Sequence, residues 1–89
     1  MSQKKIYQVV WEPEALKQLK ELDKSKINKL YEKTNQVLSQ DPYLGKMLSG
    51  KWKGFRRFRF SEYRIIYKIV EEKVLVFVAK VSNRKDVYD

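Results

Sequence analysis

The chain has 89 residues and a formal net charge of +9, from 20 Lys and Arg against 11 Asp and Glu. It contains neither cysteine nor histidine, which excludes disulfides, thiolate nucleophiles, the usual zinc ligands and imidazole acid–base catalysis. With 43% hydrophobic residues it should fold as a single domain spanning residues 1–89, for which we expect no metal and no other cofactor.

The charge also indicates the kind of partner. A strongly basic small domain meets polyanions at raised rates, which favours nucleic acid, or an acidic protein that blocks the same surface, as its partner. The sequence has no apolar run long enough for a signal peptide and none of the ~20 residues needed to span a bilayer. We therefore expect a cytoplasmic protein without a membrane partner.

The first half of the chain predicts a strand followed by a helical hairpin. The run KIYQVVW, residues 5–11, is rich in β-branched and aromatic residues and predicts a strand, and Pro13 suits the first turn of a helix. Apolar residues at helical spacing predict this helix and a second one after it. These residues are Ala15, Leu16, Leu19, Leu22, Ile27, Leu30, Tyr31, Thr34, Val37 and Leu38.

The second half predicts three strands after a loop that contains Pro42 and Gly45. The strands are WKGFRRFRF (52–60), YRIIYKIV (63–70) and VLVFVAKV (74–81), with turns at 61–62 and 71–73. The last strand is apolar on both faces except for Lys80, which is typical of an interior strand. We predict an α+β fold of order β-α-α-β-β-β, in which the helical hairpin covers one face of a small antiparallel sheet with a mixed edge.

Basic residues concentrate in residues 42–61, which carry six Lys and Arg and no acid. Because side chains alternate along a strand, Arg57 and Arg59 should share one face, about 7 Å apart. An antiparallel hairpin that turns at residues 61–62 can bring Arg64 beside them. The pattern therefore predicts a cluster of three arginines.

Two interpretations of this cluster are open from the pattern alone. Basic side chains on an exposed strand face keep a sheet from aggregating and keep small domains soluble. Three like charges held together without an acid favour instead a site for an anion such as phosphate. The C-terminal segment, residues 81–89, adds Arg84, Lys85 and Tyr88, although fraying is the ordinary fate of such a segment.

Three stretches of the chain resemble the RelE branch of the RelE/ParE toxin superfamily. They are YQVVWEPEALKQLKEL, PYLGKMLSGKWKGFRRFRFSEYRIIYKI and VFVAKVSNRKDVYD, and the KGFRRFRF..YRIIY run and the NRKDVY ending are their most specific parts. The resemblance implies a toxin of a type II toxin–antitoxin system. Such a toxin is a ribosome-dependent endoribonuclease that cleaves mRNA in the ribosomal A site by 2′-hydroxyl attack and inhibits translation, and a cognate RelB-like antitoxin, acidic and partly disordered, neutralises it.

The resemblance also implies site residues. It gives catalytic roles to Arg57, Arg59, Arg64, Arg84 and Tyr88. Around them we expect an RNA-binding set consisting of Lys51, Lys53, Arg56, Lys68 and Lys85. Relatives carry lysine at the positions of the first two arginines, and arginine effectively cannot release its proton. The general base is therefore open among Tyr88, Lys53, Lys68 and Lys85, with catalysis mainly by positioning as the alternative.

Two other functions fit the same resemblance. One is a ParE-like toxin that poisons DNA gyrase and has no RNase activity. The other is an inert binding module whose basic face docks only onto its antitoxin.

Overall fold

A computed structural model describes residues 4–83 of the chain. Within these residues, five strands and two helices are joined by short turns, some of them 3₁₀. The strands are β1 (Gln8–Trp11), β2 (Lys46–Met47), β3 (Arg56–Phe60), β4 (Tyr63–Val70) and β5 (Leu75–Asn83). The helices are α1 (Pro13–Lys20) and α2 (Lys24–Gln40), and the 3₁₀ turns are Pro42–Leu44, Gly50–Trp52 and Glu71–Lys73.

The strands form one mixed sheet in the order β1-β5-β4-β3-β2. β1 runs parallel to β5 at one edge, and the other pairs are antiparallel. The predicted α+β fold and its element order are confirmed, and β5 lies inside the sheet as its apolar sequence predicted. β2 is an addition, a two-residue edge strand.

Two predicted strands are shorter than expected. The first begins at Gln8 and not at residue 5. The second, which is β3, begins at Arg56 and not at residue 52, because Gly50–Trp52 forms a 3₁₀ turn and Gly54 has a φ of 95°, a value incompatible with a strand.

The helices cover one face of the sheet. Leu30 and Leu38 of α2 are fully buried, and they pack in one core with Tyr67 of β4 and with Val76 and Val78 of β5. Burying each such leucine contributes roughly 1.5–3 kcal/mol to folding. The opposite face of the sheet, which we call the open face, carries no helix within residues 4–83.

A β-bulge interrupts the pairing of β4 with β5. Tyr67 pairs with Val78, but Ile66 pairs with Lys80, so Ala79 is one residue more than β4 can match. A bulge of this kind changes which side chains of the strand point to each face.

The bulge determines the composition of the open face at the end of β5. After it, Val81 points into the helix-covered core, where it is 4% exposed. Ser82 pairs with Arg64 and lies with it on the open face, together with Lys80. Without the extra residue, these three positions of β5 would face the other way.

Glu71, in the turn between β4 and β5, ties distant parts of the chain together. Its carboxylate accepts hydrogen bonds from Lys5 Nζ at 2.6 Å, Tyr43 OH at 2.6 Å and Tyr7 OH at 2.8 Å. These bonds, that of Lys5 first, lower the pKa of Glu71 from an ordinary 4.5 to about 2. One carboxylate thus joins the segment before β1, the loop after α2 and the turn before β5.

The Glu71 contacts predict an acid-sensitive share of the stability. Because its pKa is lowered on folding, the carboxylate stabilises the fold above pH 4.5, and this contribution is lost as the pH falls towards about 2. The Glu71→Gln variant should be less stable than the wild type at pH 7, and the difference in free energy of unfolding should shrink steadily towards pH 2. Chemical denaturation across this range measures it. The exposed neighbour supplies the control, because Glu72→Gln should show no such trend.

Candidate functional site

The β3–β4 hairpin brings three arginines together. Its two-residue turn contains Ser61, which has a φ of 57°, and the register beyond it places Arg59 directly opposite Arg64. Arg57 lies opposite Ile66, two residues along on the same face. Arg57, Arg59 and Arg64, which we call the arginine cluster, therefore share the open face, as strand alternation predicted.

The arginine cluster lines a cavity of about 340 Å³. Arg57 and Arg64 are half-buried and Arg59 is exposed. The cavity is lined by Lys46, Met47, Leu48, Ser49, Trp52, Arg57, Arg59, Arg64, Ile66 and Ser82. All of these lining residues lie within 4–83, and none of them carries a carboxylate. The cavity is therefore strongly positive.

The segment that contains β2 and the Gly50–Trp52 turn builds the outer wall of this cavity. Backbone hydrogen bonds join this segment to Phe55, the residue before β3. Leu48 N–H donates to Phe55 O at 3.0 Å, and Phe55 N–H donates to Trp52 O at 2.9 Å. The Trp52 and Phe55 rings meet edge to face with centroids 5.2 Å apart. The wall is therefore an ordered part of the site.

Tyr67 fixes the start of this wall to the core. Its ring is fully buried, and its hydroxyl donates to Pro42 O at 2.6 Å and accepts from Gly45 N–H at 3.2 Å. Burial raises the pKa of Tyr67 to about 12, so the hydroxyl keeps its proton. Gly45 leaves no room for a side chain, because a Cβ there would collide with the Tyr67 hydroxyl and the Arg57 carbonyl oxygen.

Arg56 lies on the other face of β3 from the arginine cluster. Its Nη1 donates to Gly45 O at 2.8 Å and to Tyr43 O at 3.2 Å, and its guanidinium lies 5.1 Å from the centre of the Tyr43 ring. In this arrangement Arg56 holds the loop before β2, and the structure does not bring it into the cavity.

The remaining predicted RNA-binding residues have different positions. Lys51 and Lys53 are exposed on the segment that forms the cavity wall. Lys68 is exposed on β4, with Nζ 5.8 Å from the centre of the Phe55 ring. Arg84, Lys85 and Tyr88 lie outside the described residues.

Of the ten residues that line the cavity, the sequence predicted three as site residues, those of the arginine cluster, and missed seven. Lys46 and Leu48 fell in a predicted loop without a pattern, and Trp52 was assigned to a strand that in fact starts later. Ser82 reached the cavity through the bulge, for which the sequence carries no signal. Trp52, a large aromatic residue beside the basic run, is a member that its residue type could have indicated.

Neither a metal-binding cluster nor a membrane-spanning helix is found in residues 4–83. Within residues 4–83, no group of three or more carboxylates lies where it could hold a metal ion. In the same part of the chain, neither helix has the length and apolar character to cross a membrane.

Known proteins are similar to this chain in sequence. The sequence profile of the family described as ParE toxin of type II toxin–antitoxin system, parDE, matches residues 9–88. A RelE-like toxin protein of Escherichia coli is 29% identical over 90 residues, which cover 93% of this chain and 90% of that protein.

Solved structures are similar over most of the fold. The toxin–antitoxin complex RelBE2 of Mycobacterium tuberculosis contains a chain that superimposes with a TM-score of 0.87 at 26% identity, covering 97% of this chain and 100% of that one. The isolated E. coli RelE toxin gives a TM-score of 0.69 at 27% identity and covers 86% and 83%, respectively.

The helical hairpin on one face of a mixed sheet is the fold of the similar RelE toxin structures, and with the family match it places the chain in the RelE/ParE toxin superfamily. Within it, the chain belongs to the ParE toxin family of type II toxin–antitoxin systems, whose profile covers almost its whole length. The predicted superfamily is confirmed.

The contacts of Tyr67 predict that its hydroxyl stabilises both the fold and the cavity wall. Tyr67→Phe removes two hydrogen bonds and leaves the Gly45 N–H and the Pro42 carbonyl without their partner. We expect a loss of about 1–3 kcal/mol in the free energy of unfolding in urea. Tyr31→Phe, at a tyrosine that is 40% exposed, should change it by much less. Equal losses in the two variants would contradict this role.

Proposed function

We propose that the protein is a ribosome-dependent endoribonuclease that cleaves mRNA in the ribosomal A site. The observation that carries the proposal is the arginine cluster, three guanidiniums on one rigid hairpin that line a single cavity without a carboxylate. Guanidiniums bind phosphate oxygens in pairs and keep their charge, and the open face is accessible to a single strand of RNA. Likeness to RelE toxins supports the same assignment.

The reaction that suits these residues needs neither metal nor water. The 2′-hydroxyl oxygen attacks the adjacent phosphorus and its proton goes to a base, while the bond from phosphorus to the 5′ oxygen breaks and that oxygen takes a proton from an acid. The products are a 2′,3′-cyclic phosphate and a 5′-hydroxyl. Arg57, Arg59 and Arg64 would bind the phosphate and stabilise the charge that develops on its oxygens. Arg84 would act at the leaving oxygen, and Tyr88 would stack on a base or orient the 2′-hydroxyl.

The proton acceptor comes from outside the arginine cluster, because arginine does not release its proton. Lys53 on the cavity wall, Lys68 on β4, Lys85 and Tyr88 are the candidates. A site with a weak base gains most from alignment of the RNA, which the ribosomal A site can impose on the message. We therefore include the ribosome and mRNA among its partners, which places the protein in the cytoplasm.

A further partner is an antitoxin. Solved relatives include toxin–antitoxin complexes, among them RelBE2 of M. tuberculosis and RelBE of E. coli. A chain of net charge +9 with a cationic cavity suits an acidic, partly disordered antitoxin that covers the site.

A second candidate function is poisoning of DNA gyrase. The observation that favours it is the matching family profile, which is named for ParE toxins. Assays of mRNA cleavage in translating ribosomes and of gyrase supercoiling, run with the same protein, separate the two. Cleavage without an effect on gyrase supports the nuclease, and the reverse result supports gyrase poisoning.

The arginine cluster gives a direct test of the nuclease. Arg64→Ala and Arg59→Ala should each lower the rate of mRNA cleavage on translating ribosomes about 10²- to 10³-fold, because each removes a cation that stabilises the transition state. Lys33→Ala, an exposed basic residue on α2, is the control and should cleave at the wild-type rate. If the arginine variants cleave as fast as this control, the arginine cluster is not the active site.

The weakness of the candidate bases predicts dependence on the ribosome. The purified protein should cut a short, naked RNA oligonucleotide slowly or not at all, while it cuts a translated message at defined positions. Gel analysis of both RNAs at the same protein concentration makes the comparison. Efficient digestion of the free oligonucleotide would refute the requirement for ribosomal alignment.

A further inference from the structure

We propose that Trp52 is a base-stacking residue, whose indole holds the nucleobase next to the phosphate bound by the arginine cluster. The inference rests on the proposed nuclease function and adds to it a subsite for the RNA base. It assigns a role to the outer wall of the cavity, which the charge of the arginine cluster does not explain.

The cavity has two chemically different sides. The arginine cluster supplies cations from the sheet, and the outer wall supplies the apolar side chains of Leu48 and Trp52. A nucleotide has the same division, with an anionic phosphate and a flat, weakly polar base. Aromatic side chains beside a cationic track are the usual means of holding single-stranded RNA, because every base has a face on which an aromatic ring can stack.

The size of the cavity limits what it can accept. At about 340 Å³ it lies at the lower end of the range of ligand sites, about 300–1,000 Å³. This volume suits one nucleoside unit. The nucleobase on Trp52 therefore belongs to the nucleotide whose phosphate contacts the arginine cluster, or to its immediate neighbour.

The two tryptophans of the chain occupy different environments. Trp11 is 8% exposed in the core, and its Nε1 donates to Asn35 Oδ1 at 2.7 Å. Trp52 is only half-buried and lines the cavity, while contact with Phe55 restricts its ring. An aromatic ring that is both accessible and held in place can stack on a ligand at little cost in conformational entropy.

Ser82 is a second, independent sign of a polar occupant. Its side chain is buried, with 7% exposure, and Oγ has no hydrogen-bond partner within residues 4–83. It lines the same cavity and pairs with Arg64 in the sheet. A buried hydroxyl without a partner is costly, and a hydroxyl, phosphate or base edge of a bound nucleotide would supply one.

Matched substitutions separate stacking from packing. Trp52→Leu keeps an apolar side chain without an aromatic face, whereas Trp52→Phe keeps the face. On translating ribosomes, Trp52→Leu should lower kcat/KM for mRNA cleavage by roughly 5- to 150-fold, the usual contribution of one stacked base, and Trp52→Phe should restore most of the loss. Thermal unfolding of both variants checks the fold, and a purely structural role would make the two variants lose activity in parallel with stability.

The outcomes distinguish this inference from the nuclease proposal. If the wild type cleaves and Arg64→Ala does not, but Trp52→Leu cleaves at the wild-type rate, the stacking role is wrong and the nuclease stands. If the wild type does not cleave at all, the nuclease proposal fails. The stacking role is then decided by whether Trp52 contacts a base of bound RNA, which a binding measurement shows.

Binding is measured with a single fluorescent reporter. In the Trp11→Phe background, Trp52 is the one tryptophan left in the sequence, and a single-stranded RNA carrying 2′-O-methyl groups cannot be cleaved by 2′-hydroxyl attack. We expect this RNA to quench the Trp52 fluorescence. In a series of RNAs that each carry one abasic nucleotide at a different position, quenching should be lost for one position only. Quenching that persists with every abasic RNA, or no quenching at saturating RNA, would overturn the inference.

Discussion

The antiparallel register between β3 and β4 is the constraint on which the site depends. It sets Arg59 opposite Arg64, although like charges placed directly across a ladder destabilise it. The backbone hydrogen bonds of the hairpin and the core beneath it, which includes Ile65 and Tyr67, hold the pair in place. The hairpin therefore fixes the positions from which the two guanidiniums line the cavity.

The two sides of the cavity are held in different ways. The sheet side is formed by strands β3, β4 and β5, whose other face packs against the helices. The outer wall is a loop held at its start by Tyr67 and Arg56, and beyond them by backbone pairing with β3. The buried Tyr67 contacts the helices' core through its ring and the wall through its hydroxyl, so stability and site geometry are coupled at this residue.

Features that rest on a repeating pattern were predictable from the sequence, and features that depend on one or two residues were not. The alternation of side chains along the strands predicted the arginine cluster, because a short turn closes the hairpin. The helical spacing of apolar residues predicted both helices. β2 has only two residues and forms through pairing with β3, so it is too short for an alternating pattern to predict it. Gly50 and Gly54 have positive φ values, so β3 begins after them. Trp52 therefore lies in the cavity wall and not in the strand predicted for residues 52–60. The three bonds to Glu71 depend on residues far apart in sequence.

The bulge at Ala79 makes the end of β5 sensitive to chain length more than to side-chain identity. The residues before it and those after it are out of phase by one position, so the strand carries two inside–outside patterns joined end to end. Losing or gaining one residue there would cancel the phase shift, turning Lys80 towards the core and Val81 towards the cavity. A relative with one residue fewer at this point would present a different surface beside Arg64.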